Sequence, residues 1–289
     1  MAITTEQLTQ LSADLYEWSL KQIPEDTRQA LAAALPRERN TTGRQTLTIM
    51  LKSADAAKSS GGLVCSDVGI PTYSVKIGTR VQFDGPVRQA FVDGFARMAA
   101  RCDPPILKMV TNPLTHERSH AGKDMPIVSF DLIDGADHVD IICAPKAMGT
   151  GRWEAAETFV YPSLQQIEAF VLKTVLQSGS QACPPIVVGV GIGGTFDHAA
   201  RIAKDAVLRP FGETNPEPLL AAMELRLLQA INELGFGPMG TGGDSTAMAV
   251  HIDHAASHGF VPVVVSLNCW INRRTRARIH GDGRVERLE

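Results

Sequence analysis

Residues 182–197 read Ala182-Cys183-Pro184-Pro185-Ile186-Val187-Val188-Gly189-Val190-Gly191-Ile192-Gly193-Gly194-Thr195-Phe196-Asp197. They join a cysteine, an apolar run, a series of glycines and a helix start. The run from Ile186 to Val190 shows no apolar–polar alternation, which is typical of a strand covered on both faces. The glycines that follow allow the backbone to approach another group closely. We therefore expect a buried strand, a glycine turn and a helix in succession.

The rest of the chain predicts an α/β fold with mixed sheet segments, surrounding helices and a helical N-terminal region. Apolar periodicity predicts helices at about 5–22, 25–34, 41–57, 86–101, 163–178, 195–208 and 219–234. Apolar runs predict strands at 72–77, 127–132, 138–143, 186–190, 247–252 and 261–267, the second and third joined by a turn at 134–136. We expect residues 1–60 to form the helical region and residues 61–289 an α/β region, within one continuous domain.

The composition favours a globular protein. The chain has 289 residues, 44% of them hydrophobic and 20% charged, with a formal net charge of −3. These values argue against a basic nucleic-acid binder and against an acidic disordered chain. No basic N-terminal segment precedes an apolar core, and no apolar run approaches the roughly 18 residues of a membrane span. We expect a cytoplasmic protein with no membrane and no nucleic-acid partner.

The five cysteines point to reduced thiols or metal ligands rather than disulfides, because their number is odd and they are scattered. Cys65, Cys183 and Cys269 each lie at a turn or beside a predicted strand. Their wide separation does not resemble the clustered CxxC motifs of ferredoxins or structural zinc sites, so spacing alone establishes no metal site. Three thiolates from separate parts of a fold can nevertheless hold a [4Fe-4S] cluster and leave one iron open.

Further interpretations of these motifs remain open. The segment Gly189–Gly194 satisfies the GxGxxG pattern of dinucleotide-binding folds, but no strand ending in an acidic residue follows about 20 residues later. Cys65 with Asp67 is also compatible with a buried thiol beside an aspartate that bonds its own turn. The basic loop around Lys146 and the basic run 273–278 could bind an anion or could simply be solvated.

Several motifs, taken together and in order, resemble one known family. They are Cys-x-Asp-x-Gly at 65–69, Ala144-Pro145-Lys146, Ala182-Cys183-Pro184-Pro185 with residues 188–197, Leu208-Arg209-Pro210, Gly237-Pro238-x-Gly240, His254 and Asn268-Cys269-Trp270. This set, from about residue 40 to 280, resembles the α subunit or N-terminal domain of class I fumarate hydratases and L-tartrate dehydratases.

The resemblance implies an oxygen-sensitive iron-sulfur hydro-lyase acting on a small hydroxy-(di)carboxylic acid of the fumarate, malate or tartrate type. Cys65, Cys183 and Cys269 match the ligands of a [4Fe-4S] cluster whose open iron acts as a Lewis acid. Asp67 and His254 match catalytic residues, and the implied substrate-binding residues are Ser66, Arg118, Lys146, Gly149, Thr195 and Arg273. A β subunit would supply the catalytic base and further carboxylate-binding groups, in an α2β2 assembly.

The sequence departs from the family pattern near the substrate positions. The family's Cys-Gln-Asp-Thr-Gly is Cys65-Ser66-Asp67-Val68-Gly69 here, and the triple glycine after Ala-Pro-Lys is Ala147-Met148-Gly149. Beyond Arg118 the chain has His120, Ala121 and Lys123 where the family has asparagine, threonine and aspartate. We therefore expect a hydro-lyase whose substrate need not be fumarate, malate or tartrate. The alternatives are an NAD-dependent oxidoreductase and a non-catalytic partner subunit.

Overall fold

The computed structural model describes residues 2–288, which pack into two compact units. The first unit comprises Met1–Pro24, Ser53–Met148 and Arg273–Glu289, and the second comprises Glu25–Lys52 and Gly149–Asn272. This grouping differs from the sequence-based division at residue 60, which stays a prediction. Within residues 2–288, none of the helices combines the length and the apolar character that a membrane span requires.

The chain contains both helices and strands, which confirms the predicted α/β class. The helices are α1 (Thr5–Lys21), α2 (Glu25–Ala34), α3 (Thr41–Ser60), α4 (Val87–Arg101), α5 (Met148–Gly151), α6 (Leu164–Ser178), α7 (Phe196–Ala206) and α8 (Pro218–Glu233). The strands are β1 (Thr72–Gly78), β2 (Val110–Thr111), β3 (Arg118–Ser119), β4 (Ile127–Ile133), β5 (His138–Cys143), β6 (Ala155–Val160), β7 (Ile186–Gly193), β8 (Ala247–Ala255), β9 (Phe260–Asn268), β10 (Thr275–His280) and β11 (Val285–Leu288).

The first unit is built on a five-stranded sheet in the order β11-β10-β5-β1-β4, with α1 and α4 packed against it. The strands β4 and β5, which the sequence joins by a short turn, do not pair with each other. They lie on either side of β1, β4 parallel to it and β5 antiparallel. Aromatic rings fill the interior, with Tyr16 packed between Tyr73 and Phe95.

The basic run 273–278, which the sequence left open between an anion site and a solvated face, is largely strand β10. Its side chains alternate: Thr275, Ala277 and Ile279 are buried, whereas Arg276 and Arg278 are only half-buried. Alternation with a period of two places the arginines on one face of the sheet and the apolar residues on the other. Arg278 forms an ion pair with Asp140 of the neighbouring strand β5, at 2.7 Å.

The second unit contains a four-stranded sheet in the order β6-β9-β7-β8, in which β7 is parallel to β8 and antiparallel to β9. Helices α6 and α8 contribute to a core with alternate residues of β7, including Val188 and Val190. Helix α7 packs on the opposite face through Ala199 and Ala203. The expectation of a strand covered on both faces is confirmed.

The predicted extent of β7 is wrong. The strand does not end at Val190 but continues to Gly193, so most of the expected glycine turn is extended backbone. A Cβ atom on Gly189 would lie 2.6 Å from the Val207 nitrogen, and one on Gly191 would lie 2.6 Å from the Ala203 nitrogen. The glycines therefore make room for the backbone of α7 and its C-terminal cap, and only Gly193 and Gly194 (φ +86° and +64°) turn the chain.

Candidate functional site

The turn that carries Cys65 belongs to the first unit and is shaped by its own aspartate. Cys65 and Asp67 are half-buried, and Ser66 between them is exposed. The backbone nitrogen of Gly69 donates a hydrogen bond of 2.9 Å to Oδ1 of Asp67. Gly69 adopts a φ of +75°, a conformation that side chains rarely allow. Asp67 is thus oriented by the turn, as one of the two sequence-based interpretations predicts.

The turn is joined to the segment around Lys146. The nitrogen of Ile70 donates to the Lys146 oxygen at 2.8 Å, and the Lys146 nitrogen donates back to the Ile70 oxygen at 3.0 Å. A Cβ atom on Gly69 would lie 2.9 Å from the carbonyl carbons of both Pro145 and Lys146. The structure therefore brings together two motifs that are about 80 residues apart in the sequence.

Tyr16 supports the turn from the interior and is a residue that sequence reasoning missed. Its hydroxyl donates a hydrogen bond of 2.9 Å to the Val68 oxygen and lies 3.2 Å from the Gly69 oxygen. Burial raises the pKa of Tyr16 well above its ordinary value, the charge of Asp67 acts in the same direction, and the Arg273 guanidinium opposes both. The signal in the sequence is a phenol on the buried face of α1.

Arg273, which the resemblance assigns to substrate binding, is deeply buried. Only 4% of its surface is exposed. None of its three guanidinium nitrogens has a hydrogen-bond partner among the described residues 2–288. Burying a polar group without a partner is costly, and burying a charge costs more. Arg273 is therefore a candidate anion-binding residue, because its buried guanidinium has no hydrogen-bond partner within residues 2–288.

Cys183 and Cys269 belong to the second unit, which brings their backbones together. Cys183 is half-buried and has a φ of +54°, in the left-handed region that residues other than glycine rarely adopt. Its carbonyl oxygen accepts a hydrogen bond of 3.1 Å from the nitrogen of Trp270, the residue that follows Cys269. Cys269 is 9% exposed. A backbone hydrogen bond thus joins the segments that carry these two cysteines.

Two other segments hold the Cys183 loop. The Thr150 hydroxyl, next to Gly149, donates a hydrogen bond of 3.0 Å to the Ala182 oxygen. The Met239 nitrogen, in a second glycine-rich loop of the chain formed by residues 237–246, donates to the Pro184 oxygen at 2.8 Å. The second glycine-rich loop therefore supports the backbone next to Cys183, a role that its sequence did not specify.

Thr195 and His254 lie at the other end of the second sheet. Cys183 precedes β7 and Cys269 follows β9, whose last residue Asn268 pairs with Val187 at the start of β7. Thr195 follows the end of β7, and His254 pairs in register with Ile192 near that end. An eight-residue strand extends over roughly 25 Å. The structure does not bring Thr195 and His254 to the cysteine end of this unit.

His254 and Thr195 each form a polar contact at their end of the second sheet. Nδ1 of His254 lies 3.5 Å from Oε1 of Glu217, with both side chains about half exposed. The Thr195 hydroxyl donates to Asp197 at 2.7 Å, and α7 has no side-chain cap to its backbone nitrogens. Thr195 therefore occupies the N-cap position of α7 without capping its backbone.

The remaining predicted residues are exposed. Arg118 lies on β3, in a two-stranded hairpin with β2 within the long polar loop of the first unit. Gly149 lies in the short helix α5. Their assignment to substrate binding stays a prediction.

The other two cysteines differ from this set. Cys102 and Cys143 are buried in the apolar core of the first unit. Burial raises the pKa of both thiols, that of Cys143 strongly. Across residues 2–288 no group of three or more histidine, cysteine, aspartate and glutamate side chains is arranged to hold a metal ion.

Comparisons with known proteins assign the chain to a class and a family. Residues 9–278 match the family model described as fumarate hydratase (Fumerase). A putative L(+)-tartrate dehydratase subunit alpha of Methanocaldococcus jannaschii is 32% identical, over 96% of this chain and the whole of the relative. The L(+)-tartrate dehydratase subunits alpha of Escherichia coli and Shigella sonnei are each 28% identical, over 98% of this chain and 94% of the relative.

The class that these matches define is that of the hydro-lyases, enzymes that add or remove water across a carbon–carbon bond. The chain belongs to the fumarate hydratase (Fumerase) family. The resemblance identified from the sequence motifs is thereby confirmed.

Proposed function

We propose that this chain is the α subunit of a [4Fe-4S]-dependent hydro-lyase acting on a small hydroxy-(di)carboxylic acid of the fumarate, malate or tartrate type. The observation that carries the proposal is the match over nearly the full length of relatives named L(+)-tartrate dehydratase subunit alpha. That name also supports a β subunit as partner. The residues that differ from the family pattern near Arg118, namely His120, Ala121 and Lys123, are compatible with a different hydroxy acid as substrate.

The chemistry of the individual cysteines supports the cluster in this proposal. Iron-sulfur clusters are held by thiolates, and a thiol in an apolar interior resists deprotonation. Cys102 and Cys143 are in such an interior, whereas Cys65, Cys183 and Cys269 lie on irregular backbone or at a strand end. The unpartnered guanidinium of Arg273 comes four residues after Cys269 and offers positive charge to anionic ligands. When bound, the cluster supplies an open iron that acts as a Lewis acid toward a hydroxyl group.

The first unit's own residues have defined tasks in this proposal. The Gly69 amide orients the carboxylate of Asp67, and the Ile70–Lys146 bridge holds Lys146 beside the same turn. We assign proton transfer to Asp67 and carboxylate binding to Lys146, with Ser66 donating a hydrogen bond to the substrate. Arg118 of the same unit is also assigned to substrate binding, as is Gly149 of the second unit. A second chain supplies the catalytic base.

Thr195 and His254 cannot act at a site beside Cys183 of their own chain. They lie at the opposite end of the second sheet from Cys183, so they can reach a substrate bound at a cysteine-end site only from another copy of the chain. The proposed α2β2 assembly contains such a copy. We therefore propose that each site takes its cysteines from one α subunit and His254 from the other.

The proposal is tested by anaerobic reconstitution with iron and sulfide. We expect the wild-type chain to develop visible iron-sulfur absorbance, and Cys65→Ala, Cys183→Ala and Cys269→Ala each to lose it. Cys102→Ala is the matched control: it removes a thiol from the apolar core and should leave the absorbance unchanged. A wild-type chain that stays colourless, or three variants that reconstitute as well as the wild type, would contradict the cluster assignment.

Activity is tested separately, with the reconstituted chain mixed with its β subunit and a panel of hydroxy-dicarboxylic acids. Conversion of one panel member with loss or gain of water supports the hydro-lyase assignment. NAD-dependent oxidation of a panel member, or no turnover in the presence of an intact cluster and partner, would overturn it.

A further inference from the structure

Cys183 is held in a backbone conformation that its residue type disfavours. Its φ of +54° lies in the left-handed region, and a residue other than glycine stays there only where the surrounding contacts fix it. The Cys183 nitrogen donates a hydrogen bond of 3.1 Å to the Ser180 oxygen. The next carbonyl oxygen, that of Pro184, accepts one of 2.8 Å from the Met239 nitrogen. The second glycine-rich loop therefore contributes to the conformation of Cys183.

A buried carboxylate, that of Glu38, holds the other end of this loop. Glu38 is 0% exposed and belongs to the same unit as the loop. Its Oε1 atom accepts hydrogen bonds from the nitrogens of Asn40 and Asp244, each of 3.0 Å. Its Oε2 atom accepts from the nitrogens of Asp244 and Ser245, at 3.0 and 3.1 Å. All of these donors are backbone groups, so the carboxylate fixes the course of the chain.

Glycines bring the loop close to this carboxylate and close to itself. Gly243 has a φ of +133°, and a Cβ atom there would overlap Oε1 of Glu38. A Cβ atom on Gly237 would overlap the carbonyl group of Gly242, so the two ends of the loop are in contact. Met239 lies between these ends. A displacement at the Glu38 end of the loop is therefore transmitted to the nitrogen that holds the Pro184 oxygen.

We propose that Glu38 is a positioning residue for Cys183: its carboxylate, acting through the second glycine-rich loop, fixes the backbone conformation that presents the Cys183 thiol. The inference rests on the proposed function for the ligand of that thiol, an iron-sulfur cluster. Groups that surround a metal-binding residue orient it, and a residue fixed in advance loses less conformational freedom on binding. Glu38 thereby joins the candidate site without contributing a ligand to it.

The test measures the rate at which iodoacetamide alkylates each cysteine of the full chain before reconstitution, resolved by mass spectrometry of its peptides. A thiol held by its surroundings reacts when its segment opens locally. Glu38→Gln keeps the size of the side chain but replaces one accepting oxygen by an amide nitrogen, which cannot accept from the facing N–H groups. We expect alkylation of Cys183 to rise about tenfold, because weakening a buried hydrogen bond to a charged acceptor changes a local equilibrium by a factor of this order.

Cys269 is the internal reference in the same unit. Two residues before it, the Leu267 nitrogen donates a hydrogen bond of 2.9 Å to Oε1 of Glu154, so a different carboxylate holds this segment. We expect its alkylation in Glu38→Gln to change by less than about twofold, as for a separate local unit. An equal rise at Cys183 and Cys269 would mean that Glu38 only stabilises the unit as a whole, and would overturn the proposal.

Asp244→Asn is the matched control variant. It removes the carboxylate that pairs with the exposed Arg39, at 2.9 Å from Nε, and keeps the backbone nitrogen that donates to Glu38. We expect Cys183 alkylation to change by less than about twofold, because exposed ion pairs contribute little. A rise as large as in Glu38→Gln would show that the buried carboxylate has no special role.

A second measurement on the wild type decides the question if Glu38→Gln does not fold. Hydrogen exchange of the Met239 amide and alkylation of Cys183 should report the same opening of the loop, with protection factors that agree within about threefold. Exchange at Met239 that is much faster than the opening at Cys183 would show that the loop moves without the cysteine, and would overturn the proposal.

Reconstitution with iron and sulfide separates this inference from the proposed function. We expect Glu38→Gln to lose its cluster absorbance to a chelator faster than the wild type. A selective rise at Cys183 in Glu38→Gln, with a wild-type chain that forms no cluster, would refute the proposed function and leave the positioning role of Glu38 standing. Unchanged Cys183 alkylation in Glu38→Gln, with a wild-type chain that forms the cluster, would overturn this inference alone.

Discussion

Gly191 is the residue on which the packing between β7 and α7 depends most. A Cβ atom there would overlap the carbonyl oxygen of Ala199 and lie 2.6 Å from the Ala203 nitrogen, both backbone atoms of α7. We expect Gly191→Ala to lower the free energy of unfolding by about 2 kcal/mol, because the helix must move away from the sheet. Urea denaturation at equilibrium measures the change.

The control for this prediction is Gly62→Ala. The nearest atom to a Cβ at residue 62 is the mobile hydroxyl of Ser60, at 3.2 Å. The expected change there is within 0.5 kcal/mol, as for ordinary surface substitutions. Equal stability of the two variants would show that α7 is not held closely against Gly191.

The residues of the candidate site were predictable from the sequence to different degrees. Cys65, Asp67 and Lys146 lie in recognisable motifs, and the structure joins their backbones. Tyr16 was not predictable as a support of that turn, because its contact with Val68 spans about 50 residues and leaves no local pattern. Arg273 was predictable as a basic residue but not as a buried, unpartnered one.

At the level of single elements, α6 and α7 begin in different ways. The Ser163 hydroxyl accepts a hydrogen bond from the Gln166 nitrogen at 3.2 Å, and the Gln166 side chain accepts one from the Ser163 nitrogen at 2.9 Å. This is a capping box. Thr195, at the corresponding position of α7, forms no such bond to the backbone.

We therefore expect Ser163→Ala to cost about 1 kcal/mol of unfolding free energy, and Thr195→Ala clearly less. Thermal or urea unfolding of the two variants measures the difference. Ser163→Asp, which restores a capping acceptor, should recover most of the loss. A larger loss in Thr195→Ala than in Ser163→Ala would contradict the capping geometry.

Elements with a strong apolar pattern were predicted well, and strands without such a pattern were not. The predicted helices all exist, because each buries a continuous apolar stripe. Strand β6 was missed, since most of its residues are exposed at the edge of the second sheet. Strand β10 was missed because its arginines alternate with the buried residues, so that the segment has the composition of a basic run rather than of an apolar strand.

At the scale of the whole molecule, the placement of His254 leads to a complementation test. If each site combines the cysteines of one α subunit with His254 of another, Cys183→Ala and His254→Ala should each have low activity alone. Mixed assemblies contain one intact site per dimer of α subunits. Co-expression of the two variants should then recover about a quarter of the wild-type activity, since half of the assemblies are mixed.

The measurement is the rate of substrate consumption by the co-purified, reconstituted complex. Activity in the mixture no higher than the mean of the separately purified variants would mean that His254 acts in its own chain or has no catalytic role. Co-expression of Cys183→Ala with Cys269→Ala is the negative control, because both variants lack a cysteine of the same set and no mixed site is complete.

The sequence by itself determined the α/β class, the family and the identity of the thiols and charges, because apolar periodicity and ordered motifs are local properties of the chain. Tertiary structure decided which motifs meet. The sequence predicted a glycine turn, whereas the structure places Gly189 and Gly191 within β7, against the backbone of α7. Only the packed helix shows which atoms occupy the space that a Cβ atom would need. It also showed that Arg273 is buried without a partner, because burial and hydrogen bonding depend on every segment that surrounds a residue.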